Sequence, residues 1–321
     1  MSMETIARFD DVLDAAARIA PHAQVTPVLR ADALDAAAGC TLAFKAECRQ
    51  RAGAFKFRGA CNAVFALDDA VAARGVVTHS SGNHGAALAL AARLRGIPCH
   101  VVVPDPAVRS KLAAIEAQDA VLHRCAPTIA AREAACAQVQ RDTGATLVHP
   151  YTDARVIAGQ GTAALELLGA QPDLDALVVP VGGGGLASGT ALALAGRAPQ
   201  AKLFLAEPAG AAETLLSLQR GERVTDFVPD TICDGLRGTL GEPNFRLLRE
   251  HGAQVLAVED ADTVAAMRLL LERLQLLVEP SSAIVLAAIL AHPQHFAGLR
   301  VGVVLSGGNV DLDALPWGRP S

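Results

Sequence analysis

Between residues 75 and 150 the chain alternates short apolar runs rich in β-branched residues with longer stretches of mixed polarity. The apolar runs are "GVVTH" (75–79), "CHVVVP" (99–104), "AVLH" (120–123) and "TLVHP" (146–150), and the segments between them, 84–95, 107–116 and 128–142, have the length and composition of helices. Strand and helix in alternation predict βαβ units and a parallel sheet. A second series follows at "ALVVPV" (176–181), "KLFLAE" (202–207), "QVLAVE" (254–259) and "VGVVL" (301–305), separated by Ala- and Leu-rich helical segments. Few of these strands interleave polar residues, so both faces of each sheet are expected to be covered. The first twenty residues, "MSMETIARFDDVLDAAARIA", read as an amphipathic helix, with acidic residues where an export signal has basic and then apolar ones. The expected fold is α/β, with two open doubly wound layers and a ligand cleft beyond the carboxyl ends of their strands.

Composition narrows the function. The chain has 321 residues, 51% of them hydrophobic, enough for a large core, and its net charge of -5 comes with no basic run. Nucleic acid and anionic membrane surfaces are therefore not expected as partners, and small-molecule chemistry is. The uncharged stretch 176–196 contains Pro180 and four consecutive glycines, and reads as strand, loop and helix rather than as a membrane span. Seven cysteines with no C-x-x-C pair argue against disulfides and zinc and fit a cytoplasmic protein. Cys233 reads as a small buried hydrophobe.

Three loops carry chemistry at strand ends. "VPVGGGGLASG" (179–189) follows a strand and opens a helix, so its amides and helix terminus suit a phosphate. Gly182, Gly184 and Ala187 also fit G-x-G-x-x-A, and Glu207 ends the next strand near the spacing of a dinucleotide fingerprint, which leaves a nicotinamide oxidoreductase open. "HSSGNHGAA" (79–87) offers Ser80, Ser81, Gly82 and Asn83 to an anion such as an amino acid's carboxylate, although alone it equally describes a capped helix start, and His84 alone is more often structural. "LSGGNVD" (305–311) repeats the arrangement with Ser306, whose hydroxyl suits a ring nitrogen. In "GAFKFRGA" (53–60), Lys56 lies between two of the chain's 9 phenylalanines. Such a lysine either snorkels over apolar neighbours or loses its proton by desolvation and becomes a nucleophile toward an aldehyde.

Taken together, "ECRQRAGAFKFRGACNAV", "SSGNHGAALALAARLRGIP", "VHPYTDARVIAGQGTAALELL", "VVPVGGGGLASG", "EPSSA" and "LSGGNVDL" occur in the order seen in the serine/threonine dehydratase and serine racemase family. These are fold type II pyridoxal-phosphate enzymes related to the tryptophan synthase β chain, and the resemblance, which covers nearly the whole chain, includes their 3-hydroxyaspartate dehydratase branch. It implies that Lys56 carries pyridoxal phosphate as a Schiff base beside Phe55, that Gly182, Gly183, Gly184 and Gly185 hold the phosphate, and that Asn83 meets the ring's 3-oxygen and Ser306 its nitrogen. Ser80, Ser81, Gly82 and His84 fall on the substrate side, with Ser81 the candidate second acid/base opposite Lys56. Arg132, in "AAREAA", matches an arginine that holds a dicarboxylate substrate. Glu207, the Ala211 carbonyl and Glu213 match a site for Mg²⁺ or Ca²⁺.

The resemblance further implies a homodimer, a large cofactor-binding domain formed by 1–70 and 152–321, and a small α/β domain at 71–151. The chain ends soon after its last motif, so no C-terminal regulatory domain is expected. The activity implied is elimination of water from a β-hydroxy amino acid to give a 2-oxo acid and ammonia. L-threonine and L-serine lead as substrates, 3-hydroxyaspartate stands close behind, and serine racemisation is the alternative. Several positions depart from the family pattern: Ala54 replaces a serine, Cys233 an alanine, Ser282 a smaller residue, and Glu213 an aspartate. Glu279 reads equally as a cofactor-side acid or a helix-start carboxylate.

Overall fold

The computed structural model describes residues 6–105 and 109–317. Its strands are β1 (Val28–Leu29), β2 (Thr41–Ala46), β3 (Val76–Thr78), β4 (Cys99–Pro104), β5 (Val121–Cys125), β6 (Thr146–Leu147), β7 (Ala176–Pro180), β8 (Lys202–Pro208), β9 (Gln254–Val258) and β10 (Arg300–Leu305). The helices that follow or precede them are α1 (Phe9–Ile19), α2 (Asp32–Ala38), α3 (Lys56–Phe65), α4 (Asp69–Ala72), α5 (Asn83–Arg95), α6 (Arg109–Glu116) and α7 (Ile129–Thr143). The series continues with α8 (Ala154–Ala170), α9 (Gly185–Arg197), α10 (Glu213–Arg220), α11 (Glu242–Glu250), α12 (Asp260–Leu274) and α13 (Pro280–Ala291). The expected helix at 107–116 is described from Arg109 onward, and 107–108 lie outside the described residues.

Two sheets result, in the orders β5-β4-β3-β6 and β1-β2-β10-β7-β8-β9. Neighbours are parallel throughout except for the short edge pair β1–β2. Both faces of the larger sheet are covered, as its apolar strands require. On one side lies α13, apolar all round and buried over Ser281–Ile289, with α12 and α2 beside it; on the other lie α8, α9 and α11. The uncharged stretch at 176–196 is β7, the glycine loop and most of α9, and no helix among the described residues is long and apolar enough to cross a membrane.

Helix α8 lies between α3 and α9 at glycine contacts. A Cβ on Gly159 would lie 2.6 Å from the Gly59 Cα, and one on Gly189 would lie 2.5 Å from both the Gly161 nitrogen and the Ile157 carbonyl oxygen. Since α3 begins at Lys56 and α9 at Gly185, this close approach fixes the spacing of the two loops that matter most.

β2 was not foreseen, because its sequence "TLAFKA" carries a lysine. Lys45 is nevertheless 1% exposed, its Nζ donating to the Thr26 carbonyl at 2.7 Å and to Glu166 Oε2 at 2.5 Å. Glu166 also receives Arg58, fully buried, which donates in addition to both oxygens of Glu47. Two cations and two carboxylates thus neutralise one another, the condition under which buried charge is tolerated. The network ties β2, α3 and α8 together directly behind Lys56.

Candidate active site

The carboxyl ends of β2, β3, β7, β8 and β10 lead into the five segments singled out from the sequence. Lys56 is the first residue of α3, half-buried, with Nζ 3.1 Å from the Pro150 carbonyl oxygen, to which it donates, and 5.2 Å from the centroid of the Phe55 ring. Burial lowers its pKa to about 8, against an opposing pull from the Glu279 carboxylate. Its loop is pinned to the end of β10: Phe55 N–H donates to the Ser306 carbonyl at 2.9 Å and Gly308 N–H to the Gly53 carbonyl at 2.9 Å. Ser306, 2% exposed, thereby stays in register with Lys56, its Oγ 3.5 Å from the Ser281 carbonyl.

The glycine loop is shaped by its surroundings. A Cβ on Gly183 would enter the Tyr151 ring at 2.4 Å, and one on Gly184, which has φ +92°, would meet Leu240 at 2.6 Å and Asn244 at 2.8 Å. Only glycine permits this approach and this backbone conformation. The main-chain N–H groups of Gly182 to Ala187 have no acceptor among the described residues; Ser188 N–H, bonded to the Gly184 carbonyl, is the first that does. Converging free amides at the start of a helix form a cradle for a phosphate.

The serine loop has the same character. Ser80, Ser81 and Gly82 are half-buried, the two hydroxyls make no hydrogen bond among the described residues, and Gly82 caps α5, whose first amides are free. A carboxylate fits this terminus. Asn83 donates to both oxygens of Glu279 at 3.0 and 3.1 Å and accepts from Asn309 at 2.9 Å, which joins the serine loop to the β10 loop. Glu279 therefore belongs to the site and is more than a helix-start carboxylate; its oxygen lies 2.4 Å from where a Gly307 Cβ would be.

His84 lies beneath the loop rather than on it. It is 2% exposed, one ring nitrogen meets the Val148 carbonyl at 3.2 Å and the other is buried without a partner. Burial first, then the nearby Lys56, holds it well below the usual imidazole range, as burial and neighbouring cations hold His149 down to about 4. His149 Nδ1 accepts from the N–H of Thr152 at 3.2 Å, and its ring meets Tyr151 edge-on at 4.6 Å. Both imidazoles are neutral near pH 7 and add no charge beside the lysine.

Arg132 is in the first turn of α7, half-buried, with Nε buried and its side chain making no hydrogen bond or ion pair among the described residues. Its charge is felt at His79, the residue before Ser80. At the end of β8, Glu207 accepts from the N–H groups of Thr214 and Leu215 at 2.8 and 2.9 Å. Glu213 accepts from Leu240 N–H at 2.8 Å through Oε1, while Oε2 is buried and unpartnered. Burial raises Glu207 to about 7 and, with Glu207's charge added, Glu213 to about 8.

His149, Pro150, Tyr151 and Asn309 lie inside quoted motifs that give them no role; Asn244 carries no local signal at all. Cys233 is buried, and burial pushes its thiol up to about 12, as expected of an inert side chain.

A lysine whose pKa is lowered by burial, free amides at the starts of α9 and α5 and a buried serine hydroxyl after β10 are groups that suit pyridoxal phosphate and an amino-acid substrate. Residues 19–307 match the family described as "Pyridoxal-phosphate dependent enzyme", and the chain belongs to it. It is 47% identical over 312 residues to the β-hydroxyaspartate dehydratase of Paracoccus denitrificans, covering 97% of this chain and 99% of that protein. It is 42% identical over 305 residues to the L-threo-3-hydroxyaspartate ammonia-lyase of Saccharomyces cerevisiae, covering 95% and 94%. The solved structure of maize serine racemase superposes with a TM-score of 0.94 at 44% identity, covering 96% of this chain and 95% of that one. The fold is accordingly that of fold type II pyridoxal-phosphate enzymes. The nicotinamide alternative falls: the G-x-G-x-x-A match is part of a pyridoxal-phosphate enzyme, and the Glu207 carboxylate is turned to two backbone amides instead of a ribose.

Proposed function

We propose that the protein is an ammonia-lyase acting on a 3-hydroxyaspartate isomer, which reverses the order of substrates expected from the sequence. The observation that carries this choice is Arg132: a half-buried guanidinium with an orphaned Nε, near the serine loop, asks for a second anion. The β-carboxylate of hydroxyaspartate meets that need with two charge-assisted hydrogen bonds, and threonine and serine have nothing to offer it. The names of the two lyase relatives point the same way.

Bound between Lys56, the glycine loop and Ser306, pyridoxal phosphate supplies the sink for the electron pair left when Cα loses its proton. Gly182 to Gly185 grip the phosphate, and Ser306 meets the ring nitrogen with a neutral hydroxyl. Ser81, Gly82 and the first amides of α5 hold the α-carboxylate, and Arg132 the β-carboxylate, so that the Cα–H bond faces Lys56. Lys56 Nζ, positioned by the Pro150 carbonyl and more readily deprotonated than an exposed lysine because burial lowers its pKa, takes the proton from Cα. The Cβ–O bond breaks as the Cα–Cβ double bond forms, and the hydroxyl departs as water with the proton that Lys56 took from Cα. The released enamine hydrolyses in solution to the 2-oxo acid and ammonia.

Scoring the purified protein for ammonia and 2-oxo acid against hydroxyaspartate isomers, L-threonine and L-serine tests the reading. Arg132→Ala should lower kcat/KM for hydroxyaspartate about 30-fold, equivalent to losing roughly 2 kcal/mol, and spare L-threonine. Inert hydroxyaspartate, or equal loss on both substrates, refutes it.

Glu207, Glu213 and the Ala211 carbonyl are proposed to hold Mg²⁺ or Ca²⁺. The orphaned Glu213 Oε2 and hard oxygen donors support this, although both Glu207 oxygens already accept backbone bonds. Chelation should lower Tm, with Mg²⁺ or Ca²⁺ restoring it, and Glu207→Gln should abolish the response. An unchanged response in the variant sinks the cation site. A cytoplasmic homodimer is part of the same proposal; light scattering of the purified protein reads its mass.

A further inference from the structure

We infer that Asn244 is the positioning residue of the phosphate cradle: from the first turn of α11 it aims the Gly184 amide at the cofactor's phosphate. The inference rests on the pyridoxal-phosphate reading of the glycine loop. Asn244 is fully buried, and its Nδ2 donates to the Tyr151 carbonyl at 2.9 Å and to the Gly183 carbonyl. Gly241 N–H donates to the same Gly183 carbonyl at 3.1 Å.

A trans peptide is planar, with its C=O and N–H pointing in opposite directions. Fixing the Gly183 oxygen against α11 therefore fixes the Gly184 N–H on the opposite side, toward the other free amides of the loop. Glycine cannot do this unaided. Gly184 at φ +92° is flanked by further glycines, and such a run has more backbone freedom than any other sequence. Without an external clamp the cradle would have to be ordered each time a phosphate enters, at a cost in affinity.

The second bond gives the clamp its reach. Tyr151 is the wall of the cradle, its ring occupying the space a Gly183 Cβ would need, and Pro150 just before it holds Lys56 Nζ. Asn244 thus fastens the phosphate end of the site and the segment that positions the lysine to one side chain. Both protons of its amide are used, so an acid of the same shape cannot replace it. An aspartate there would place a carboxylate oxygen against two carbonyl oxygens.

Pyridoxal and pyridoxal 5′-phosphate separate this role from a general contribution to folding, because both aldehydes can react with Lys56 and only one has a phosphate. Affinities of the apoprotein for each are read from cofactor absorbance in wild type, Asn244→Ala and Asn244→Asp. The variants should bind pyridoxal 5′-phosphate weaker by roughly 10-fold or more, the loss of an aimed hydrogen bond to a charged group, and pyridoxal weaker by a much smaller factor, since it shares the lysine but has no phosphate. Equal weakening of both aldehydes, or of neither, overturns the inference. Should neither variant fold, hydrogen exchange of wild-type apoprotein decides: inorganic phosphate should protect 240–246 together with 182–187. Protection confined to the glycine loop would refute the clamp.

Discussion

Desolvation of Lys56 should be measurable as the pH at which the apoprotein becomes competent to take up its cofactor. Only the neutral amine attacks an aldehyde, so the rate of recombination follows the deprotonated fraction of this lysine. With a pKa of about 8, about 9% of it is neutral at pH 7, against about 0.03% for a lysine at 10.5, a difference of about 300-fold. The other titratable groups facing it are the imidazoles of His84 and His149, both held neutral through this range, and the Glu279 carboxylate. Glu279 opposes the shift. Replacing it by glutamine removes the negative charge that favours the ammonium while keeping an oxygen for Asn83, so the lysine's pKa must fall further. Cofactor is stripped from the protein with hydroxylamine, and the return of borohydride-sensitive absorbance is followed after mixing with pyridoxal 5′-phosphate at graded pH. The wild-type rate should level off above about pH 8, and the Glu279→Gln profile should lie at lower pH. A wild-type midpoint near 10.5, or a Glu279→Gln midpoint displaced upward, would refute the burial argument.

Two further substitutions test other parts of the site. Ser81→Ala should abolish any D-serine formed from L-serine while leaving appreciable elimination from a β-hydroxy amino acid, since only racemisation needs a second acid/base opposite Lys56; equal loss of both activities would limit the hydroxyl to carboxylate binding. Gly189→Ala places a methyl 2.5 Å from backbone atoms of α8 and should cost about 1–3 kcal/mol, seen as a Tm lowered by several degrees together with weaker cofactor retention; an unchanged Tm would mean that α8 and α9 can part freely.

Much of this architecture was legible because apolar strands and glycine loops are local signals. Every strand expected between 75 and 305 is present, and the strand-to-helix loops at Ser80–Asn83 and Gly182–Gly185 lie where the alternation put them. β1 and β2 escaped for a physical reason. A two-residue strand has no period to read, and Lys45 breaks the apolar run of β2; its burial is intelligible only once Glu166, 121 residues away, is seen beside it. The Lys56 question was open on its flanking phenylalanines alone. What decides it is enclosure by Pro150 and Glu279, residues that no window around position 56 contains.

Residues that act through the backbone of others leave the weakest trace. Ser306 and Lys56 each belong to a recognisable loop, yet the bonds that hold those loops in register run between main-chain atoms, which every residue type possesses. Asn83 shows the intermediate case: its place at the head of α5 is readable, but its bonds to Glu279, at the head of α13, and to Asn309, after β10, link segments of two different sheets and follow only from how the chain packs. Asn244 is the extreme. It sits in "EPNFRLLRE", an ordinary amphipathic helix in which an asparagine reads as a weak helix former, and its two acceptors are carbonyls 61 and 93 residues earlier in the chain. A side chain whose partners are all peptide groups constrains the fold tightly and its own neighbourhood hardly at all, so the positioning of a glycine loop has to be read from coordinates even where the loop itself is plain in the sequence.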